Sequence, residues 1–244
     1  MNIEEYLVKE NKIYEKLLEY LDDNDTNNEK RDMLLEFFHI NDIQKNRDEL
    51  YALLHLLSTI SMNHHRIPNF LSKIEQILSF FEVEIKQSFS NFKIFDIFKR
   101  NKLIILLLIE KKLIIPDQEI ADFIKKSKYN DALYNFYFFP EFQTFLKNDR
   151  NNIKEEIAKL NINSFNEKRK IGENDEHICY LIRNDMVDEF ISFIEKKSIK
   201  LTSTINKSIF ETNTFLMCKE PTLIEYAAFF GSINIFQYLL SKKA

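Results

Sequence analysis

The chain has 244 residues, of which 45% are hydrophobic and 30% are charged, and this composition is typical of a globular protein and not of a disordered one. It contains only two glycines and four prolines. Because β-sandwiches and doubly wound folds need many glycines in tight turns, this scarcity excludes those classes and predicts an all-α fold. The net charge of −4 lacks the basic excess that nucleic-acid binding requires, so no nucleic-acid partner is expected.

The longest apolar run, Leu103–Ile109, ends in a charged Glu-Lys-Lys sequence. A membrane-spanning helix needs about 20 apolar residues, so the run predicts a buried helix and no membrane span. The first residues are acidic and amphipathic and do not resemble a secretory signal. The two cysteines, Cys179 and Cys218, form no disulfide framework and suit a reducing compartment. A cytoplasmic location is therefore expected.

Apolar residues at helical spacing predict amphipathic helices in the part of the chain before Glu82. The stripes are Ile3, Tyr6, Leu7, Ile13, Tyr14, Leu17, Leu18 and Leu21; Met33, Leu34, Phe37 and Phe38; Leu50, Leu53, Leu54, Leu57 and Ile60; and Ile67, Phe70, Leu71, Ile74, Ile77, Leu78 and Phe81. Pro68 lies near the first turn of the last of these helices, where its missing N–H is tolerated.

After Glu82 the predicted helices shorten to roughly two or three turns each. Polar breaks separate them, at Asn91, Arg100-Asn101, Pro116-Asp117, 128–130 and 147–152. The most polar and least periodic long segment extends from Asn161 to Glu176. We therefore predict a helical N-terminal region over residues 1–160 and a repeat region over residues 161–244. Short helices that follow one another in pairs are typical of an α-solenoid.

Two segments, Tyr180–Lys197 and Tyr226–Lys243, repeat each other at an offset of about 46 residues. Each contains a turn position, then an apolar stripe, then Lys-Lys. The aligned pairs are Tyr180 with Tyr226, Asp185 with Gly231, Val187 with Ile233, Phe190 with Phe236, Phe193-Ile194 with Leu239-Leu240, and Lys196-Lys197 with Lys242-Lys243. A weaker copy of the stripe lies at Arg100–Lys112. The shared turn and trailing lysines indicate a true repeat.

The second copy reads TLIEYAAFFGSINIFQYLL from Thr222 to Leu240. It resembles the ankyrin repeat, whose pattern is T-P-L-H-x-A-A-x-x-G-H-x-x-[IV]-V-x-x-L-L. Thr222 can cap the first helix, and Glu225, which stands where the pattern has His, can complete a capping box with it. Gly231 can end this helix in the left-handed conformation. The small pair Ala227-Ala228 lets the neighbouring repeat approach closely. The second helix carries a buried stripe of Ile235, Phe236, Leu239 and Leu240.

Departures from the pattern are larger in the first copy. There Leu181-Ile182 replaces the two alanines and Asp185 replaces the glycine, although aspartate tolerates the left-handed region better than most residues. In the second copy Pro221 precedes Thr222 instead of following it. The expected fold is an all-α, ankyrin-like α-solenoid of short helix pairs, with repeats at about 174–198 and 220–244.

The N-terminal region carries a second resemblance. Residues 63–70, which read NHHRIPNF, precede a KIEQIL helix at residues 73–78. This arrangement is similar to the helical N-terminal region of the ankyrin-like proteins of flagellate protists, a domain of unknown function. The resemblance implies no catalytic activity and no cofactor.

Catalytic and metal sites were weighed against ordinary structural roles. Two isolated glycines allow no phosphate-binding loop and no nucleophile elbow. Glu36 and His39 have the spacing of one half of a carboxylate-bridged metal site, but no second such pair occurs. The adjacent His64 and His65 are interpreted as part of a polar turn, with a metal site as the alternative. Cys179 lies in a helical stripe and is predicted to be a core residue.

The connection Ile199–Glu220 is longer than the ankyrin period of about 33 residues allows. In ankyrin stacks a β-hairpin finger connects the repeats, and fingers and first helices line the binding face. Leu201–Ile205 has strand-like composition. The candidate partner-binding residues are Asn206, Lys207, Glu211, Thr212 and Asn213. The alternative is a surface loop without a function of its own.

The expected function is that of a non-catalytic adaptor or scaffold, with no cofactor, that binds an unknown protein partner through an ankyrin-like surface. One alternative is a helical enzyme or metal-binding protein that uses His64 and His65. Another is a structural array without a discrete partner. Because Ala244 lies where a further repeat would begin, we expect the array to continue or the uncapped last repeat to self-associate.

Overall fold

The computed structural model describes residues 3–23, 28–63, 69–126, 132–145 and 162–243. These ranges form helices, together with one isolated antiparallel bridge between Thr204 and Thr222. The predicted all-α class is confirmed. Within the same ranges, no helix is both long enough and apolar enough to cross a membrane.

The chain divides into two compact units, Met1–Asp122 and Phe123–Ala244. The polarity of the sequence predicts a boundary at residue 160, and this prediction falls among residues 146–161, which lie outside the described part of the chain. The helices of the first unit are α1 (Ile3–Leu21), α2 (Glu29–Ile40), α3 (Arg47–Asn63), α4 (Phe70–Phe80), α5 (Glu82–Ser88), α6 (Asn91–Phe98) and α7 (Lys102–Glu110), followed by α8 (Gln118–Lys126), which crosses the division. A short 3-10 turn, Ile43–Lys45, precedes α3.

The core of the first unit forms along the predicted stripes, with exceptions near the chain's start. Every predicted stripe residue of α3 is buried, and so is most of the stripe of α4. In the α1 stripe Ile13, Leu17 and Leu21 are buried, whereas Leu7 is 56% exposed and Tyr14 is 37% exposed. Met33 in α2 is also exposed. Ile67 and Pro68 lie outside the described residues.

Polar breaks in the sequence start helices in the structure. The side chain of Asn101 accepts a hydrogen bond from the backbone N–H of Ile104 at 3.1 Å and so caps α7. Asp117 likewise accepts from Ile120 N at 2.9 Å in the first turn of α8. These side chains satisfy helix N–H groups that have no partner within the helix. The predicted breaks at 128–130 and 147–152 fall outside the described residues.

The second unit contains α9 (Ala132–Tyr137), α10 (Phe139–Phe142), α11 (Ile162–Ile171), α12 (His177–Arg183), α13 (Val187–Lys197), α14 (Thr214–Cys218), α15 (Leu223–Phe230) and α16 (Ile233–Ser241). Helix α11 lies where the sequence suggests the least regular segment. One of its two buried positions is Arg169, whose guanidinium makes two 2.8 Å hydrogen bonds to the carboxylate of Glu141. Because arginine occupies a core position, the helix lacks the apolar periodicity by which a helix is recognised in a sequence.

Two helix hairpins stack on each other in the second unit. Hairpin 1 consists of α12 and α13, hairpin 2 of α15 and α16, and each helix of hairpin 1 packs on its counterpart in hairpin 2. Asp185 and Gly231 occupy the turns with φ of 52° and 68°, as the repeat alignment predicts. The predicted capping box of Thr222 and Glu225 is present at the start of α15.

A carboxylate joins the two hairpins. Asp185 accepts hydrogen bonds from the backbone N–H groups of Asn234 at 3.0 Å and Ile235 at 2.9 Å, and thus caps α16 from the turn of hairpin 1. Close by, the buried hydroxyl of Ser232 donates to the backbone carbonyl of Ile182. The register of the two hairpins is therefore fixed by polar contacts as well as by apolar packing.

The apolar positions of hairpin 2 are buried on one side only. Ala227, Ile235 and Leu239 are fully buried, as predicted. Ala228 is exposed, and Leu240 is 59% exposed, because both lie on the side that hairpin 1 does not cover. Ala244 lies outside the described residues, so the expected continuation of the array stays a prediction.

Candidate partner-binding surface

The connector, residues 198–222, joins the two hairpins, and its two ends lie next to each other. Thr204 and Thr222 form the antiparallel bridge, and Ile205 N donates to Pro221 O at 2.8 Å. The segment Leu201–Ile205, which has strand-like composition, thus forms a single bridge and not an extended strand. Between the bridged ends the connector carries α14.

Two of the five candidate residues lie on the surface of the connector. Asn206 and Lys207 are exposed. The amide of Asn206 donates to the carboxylate of Glu176 at 3.1 Å, which places it beside the start of α12. Both side chains are open to solvent.

The other three candidates hold the connector in place. Glu211 is 5% exposed, and its carboxylate accepts from Asn213 N at 2.9 Å. Thr212 donates to the carbonyl of Gly172 through its hydroxyl at 2.8 Å. The side chain of Asn213 caps α14 by accepting from Phe215 N at 3.0 Å. Their hydrogen bonds therefore run within the chain.

Next to these residues lies an aromatic pair that the sequence does not predict. Phe215 of α14 and Phe229 of α15 stack with ring centroids 5.6 Å apart and planes within 6° of parallel. The ammonium of Lys219 lies 5.2 Å from the Phe215 centroid, and Phe215 is 44% exposed. Helical spacing assigns both rings to the core, so only the path of the connector reveals the pair.

A buried polar network lies beneath the connector. Arg183 donates to the phenol oxygen of Tyr226 and to the carbonyl of Asn174, both at 2.9 Å. Burial raises the pKa of the Cys179 thiol to about 12, and it also raises the pKa of Tyr226. Neither group ionises near neutral pH, so Cys179 lacks the thiolate that nucleophilic catalysis requires.

A metal site needs several ligand side chains close together. In the described part of the chain, no three His, Cys, Asp or Glu side chains are grouped so that they could hold a metal ion. Glu36 and His39 are both exposed on α2. His64 and His65 lie outside the described residues, so the metal-binding alternative stays a prediction.

A groove in the first unit was also considered as a ligand site. Its lining residues are Lys86, Phe89, Asn91, Ile94, Lys112, Leu113, Ile115 and Asp117. The side chain of Asn91 bonds to the backbone of Ile115 and to Asp117, while Lys86 pairs with Glu82 at 2.6 Å. Because these polar groups already bond to each other, the groove offers a ligand mainly apolar surface.

The chain matches no protein-family model, no curated protein and no solved structure. A functional assignment therefore depends on the residues and their geometry.

Proposed function

We propose that the second unit is a non-catalytic protein-interaction module, an adaptor or scaffold built on an ankyrin-like pair of stacked hairpins. Three features of the ankyrin pattern support this: left-handed turns at Asp185 and Gly231, the capping box at Thr222 and the small buried Ala227. Stacked helix hairpins with a projecting connector form extended surfaces that bind other proteins.

The observation that carries the proposal is the stack of the exposed Phe215 on the half-buried Phe229, with Lys219 over the Phe215 ring. Aromatic side chains are enriched among the residues that dominate binding energy at protein interfaces. A partner that covers this stack removes a large apolar area from water. The exposed Asn206 and Lys207 then supply polar contacts at its margin.

The engaged residues Glu211, Thr212 and Asn213 have a different role in the proposal. Their internal hydrogen bonds fix the connector against Gly172 and start α14. We infer that they position Phe215 for binding without contacting the partner themselves. A preformed connector lowers the entropic cost of association.

We also propose that the module works in the cytoplasm. Both cysteines are free, and Cys218 is exposed. An exposed free thiol suits a reducing compartment.

The proposal is tested by comparing the wild-type chain with a Phe215→Ala, Phe229→Ala double variant in affinity capture followed by calorimetry with each purified partner. We expect the variant to bind at least about tenfold more weakly, because it loses the stacked aromatic surface. Ile171→Ala is the matched control, since Ile171 is 63% exposed on α11 of the same unit.

Both variants should keep the wild-type helical circular dichroism, which separates binding from folding. If each partner binds the double variant and the wild type with equal affinity, the aromatic stack does not contribute to binding. Capture that returns no reproducible partner would favour a purely structural array instead.

A further inference from the structure

The two hairpins are equivalent along the sequence, with Asp185 and Gly231 as matching turn residues. We call the side of each hairpin that points along the stack from hairpin 1 to hairpin 2 its far face, and the opposite side its near face. The far face of hairpin 1 packs on the near face of hairpin 2. The far face of hairpin 2 can therefore be identified residue by residue.

On hairpin 1 the far face is buried. Ile182 of α12 and Phe190 of α13 are fully buried, and Ile194 is 4% exposed. These side chains belong to the hydrophobic cluster that includes Tyr226 and Leu239 from the near face of hairpin 2.

On hairpin 2 the equivalent positions are exposed or half-buried. Leu240, the counterpart of Ile194, is 59% exposed, and Ile233, the counterpart of Val187, is 63% exposed. Within residues 162–243 the far face of hairpin 2 thus resembles the far face of hairpin 1, but no further hairpin covers it. Its apolar members are Ile224, Ala228, Ile233, Phe236 and Leu240.

A backbone acceptor is repeated as well. The carbonyl of Ile182 accepts both the turn N–H of Asp185 and the hydroxyl of Ser232 from hairpin 2. In hairpin 2 the carbonyl of Ala228 accepts the equivalent turn N–H, from Gly231 at 3.2 Å. Because a carbonyl has two lone pairs, Ala228 can accept a second hydroxyl in the same way.

The opposite end of the stack has a different character. On the near face of hairpin 1, His177, Asn184 and Glu189 are exposed. They replace Leu223, Phe230 and Ile235, which are buried on the near face of hairpin 2. A polar outer face is typical of a capping repeat. Tyr180 on the same face is 49% exposed, but a second copy has no apolar side chain there at the positions of Leu223, Phe230 and Ile235, and its near face on hairpin 2 is already buried.

We propose that the far face of hairpin 2 docks an amphipathic helix hairpin of a partner protein. The hairpin presents Leu, aromatic and Ile side chains at the positions of Leu223, Tyr226 and Ile235, and a serine or threonine at the position of Ser232. This inference rests on the proposed interaction function and names the class of partner. It uses residues other than Phe215 and Phe229.

The test uses a peptide of residues 198–243 of this chain as the probe, because hairpin 2 carries the required near face. Fluorescein-labelled peptide is titrated with the full-length chain and followed by anisotropy. We expect saturable binding that weakens at least about tenfold when the full-length chain carries Ile233→Glu and Leu240→Glu. Because both side chains are exposed, the variant should melt at the wild-type temperature.

Two matched controls accompany the titration. Val83→Glu in the full-length chain changes another exposed apolar residue, 61% exposed on α5, and should leave the affinity unchanged. A peptide with Tyr226→Glu and Leu239→Glu loses its near face and should not bind.

A second measurement covers the case in which the peptide does not fold in solution. A chain extended by a further copy of residues 198–243 should melt at a higher temperature than the wild type, and Leu240→Glu at the original position should abolish the gain. The proposal is overturned if the peptide does not bind the full-length chain and the extended chain does not melt at a higher temperature than the wild type. Equal peptide binding by the wild type and the Ile233→Glu, Leu240→Glu chain also overturns it.

Analytical ultracentrifugation of the wild-type chain completes the test, and a monomer is expected. A concentration-dependent dimer that disappears with Leu240→Glu would assign the face to a second copy and overturn the partner hairpin. The Phe215 and Phe229 variants decide the proposed function separately, so failure of one proposal does not imply failure of the other.

Discussion

At the scale of single residues, the second unit uses buried polar groups to fix geometry. Arg183 links the first helices of both hairpins through the phenol of Tyr226, and its side chain also pairs with Glu173 at 2.9 Å. Cys179 lies in the same cluster with no exposed surface. Its helical spacing predicts this core position correctly, whereas the arginine network depends on distant residues that no local pattern relates.

The two thiols should differ sharply in reactivity. Desolvation raises the pKa of Cys179 from 9.0 to about 12, so at pH 8 its thiol is protonated as well as buried. Cys218 is exposed. We expect iodoacetamide to modify one thiol per native chain at pH 8 and both in urea, as counted by intact-mass spectrometry. A native Cys218→Ala chain should remain unmodified, and rapid double labelling of the native wild type would contradict the buried thiol.

At the scale of elements, caps decide where helices begin and how hairpins are joined. The Thr222 and Glu225 capping box can be read from the sequence because both residues lie within one turn. The cap that Asp185 provides to α16 cannot, because its carboxylate acts on residues of another hairpin. The sequence predicts only that Asp185 adopts the left-handed turn conformation. Helix α11 is missed for a related reason, since Arg169 occupies a core position there.

Removing the Asp185 cap should destabilise the hairpin stack. Asp185→Ala loses two hydrogen bonds from backbone N–H groups and one from the Asn234 amide, and it places alanine in a left-handed turn, so we expect the free energy of unfolding to fall by about 1–2 kcal/mol. Urea denaturation followed by circular dichroism measures this change. Asp185→Asn keeps an acceptor oxygen and tolerates the turn, and it should restore at least half of the loss. Wild-type stability in Asp185→Ala would show that the contact contributes nothing.

At the scale of the whole molecule, composition predicts the fold class but not the division of the chain. Glycine scarcity indicates an all-α chain, and apart from one isolated bridge the regular structure of the described residues is helical. The division at Asp122 falls inside α8, where no polar or flexible stretch marks it in the sequence. Contacts between distant residues define such a boundary, and local composition does not record them. The aromatic stack is hidden for the same reason, because Phe215 meets Phe229 only through the path of the connector.

The charge of the whole chain gives a further expectation. With a net charge of −4 and a calculated pI of about 5.8, the protein should not bind DNA or RNA measurably at physiological salt. Gel-shift assays with double-stranded and single-stranded probes test this, and a basic DNA-binding protein serves as the positive control. A shift that weakens steeply with added salt would reveal a basic surface that the overall charge conceals.

The bridge between Thr204 and Thr222 has a consequence for how such a module diversifies. It holds the two ends of the connector together, so exposed residues between them, such as Asn206 and Lys207, can be exchanged or extended while the hairpins keep their register. The entropic cost of a longer loop grows only with the logarithm of its length. In the proposed interaction module, changes at these exposed positions would alter the choice of partner and leave the helices unaltered.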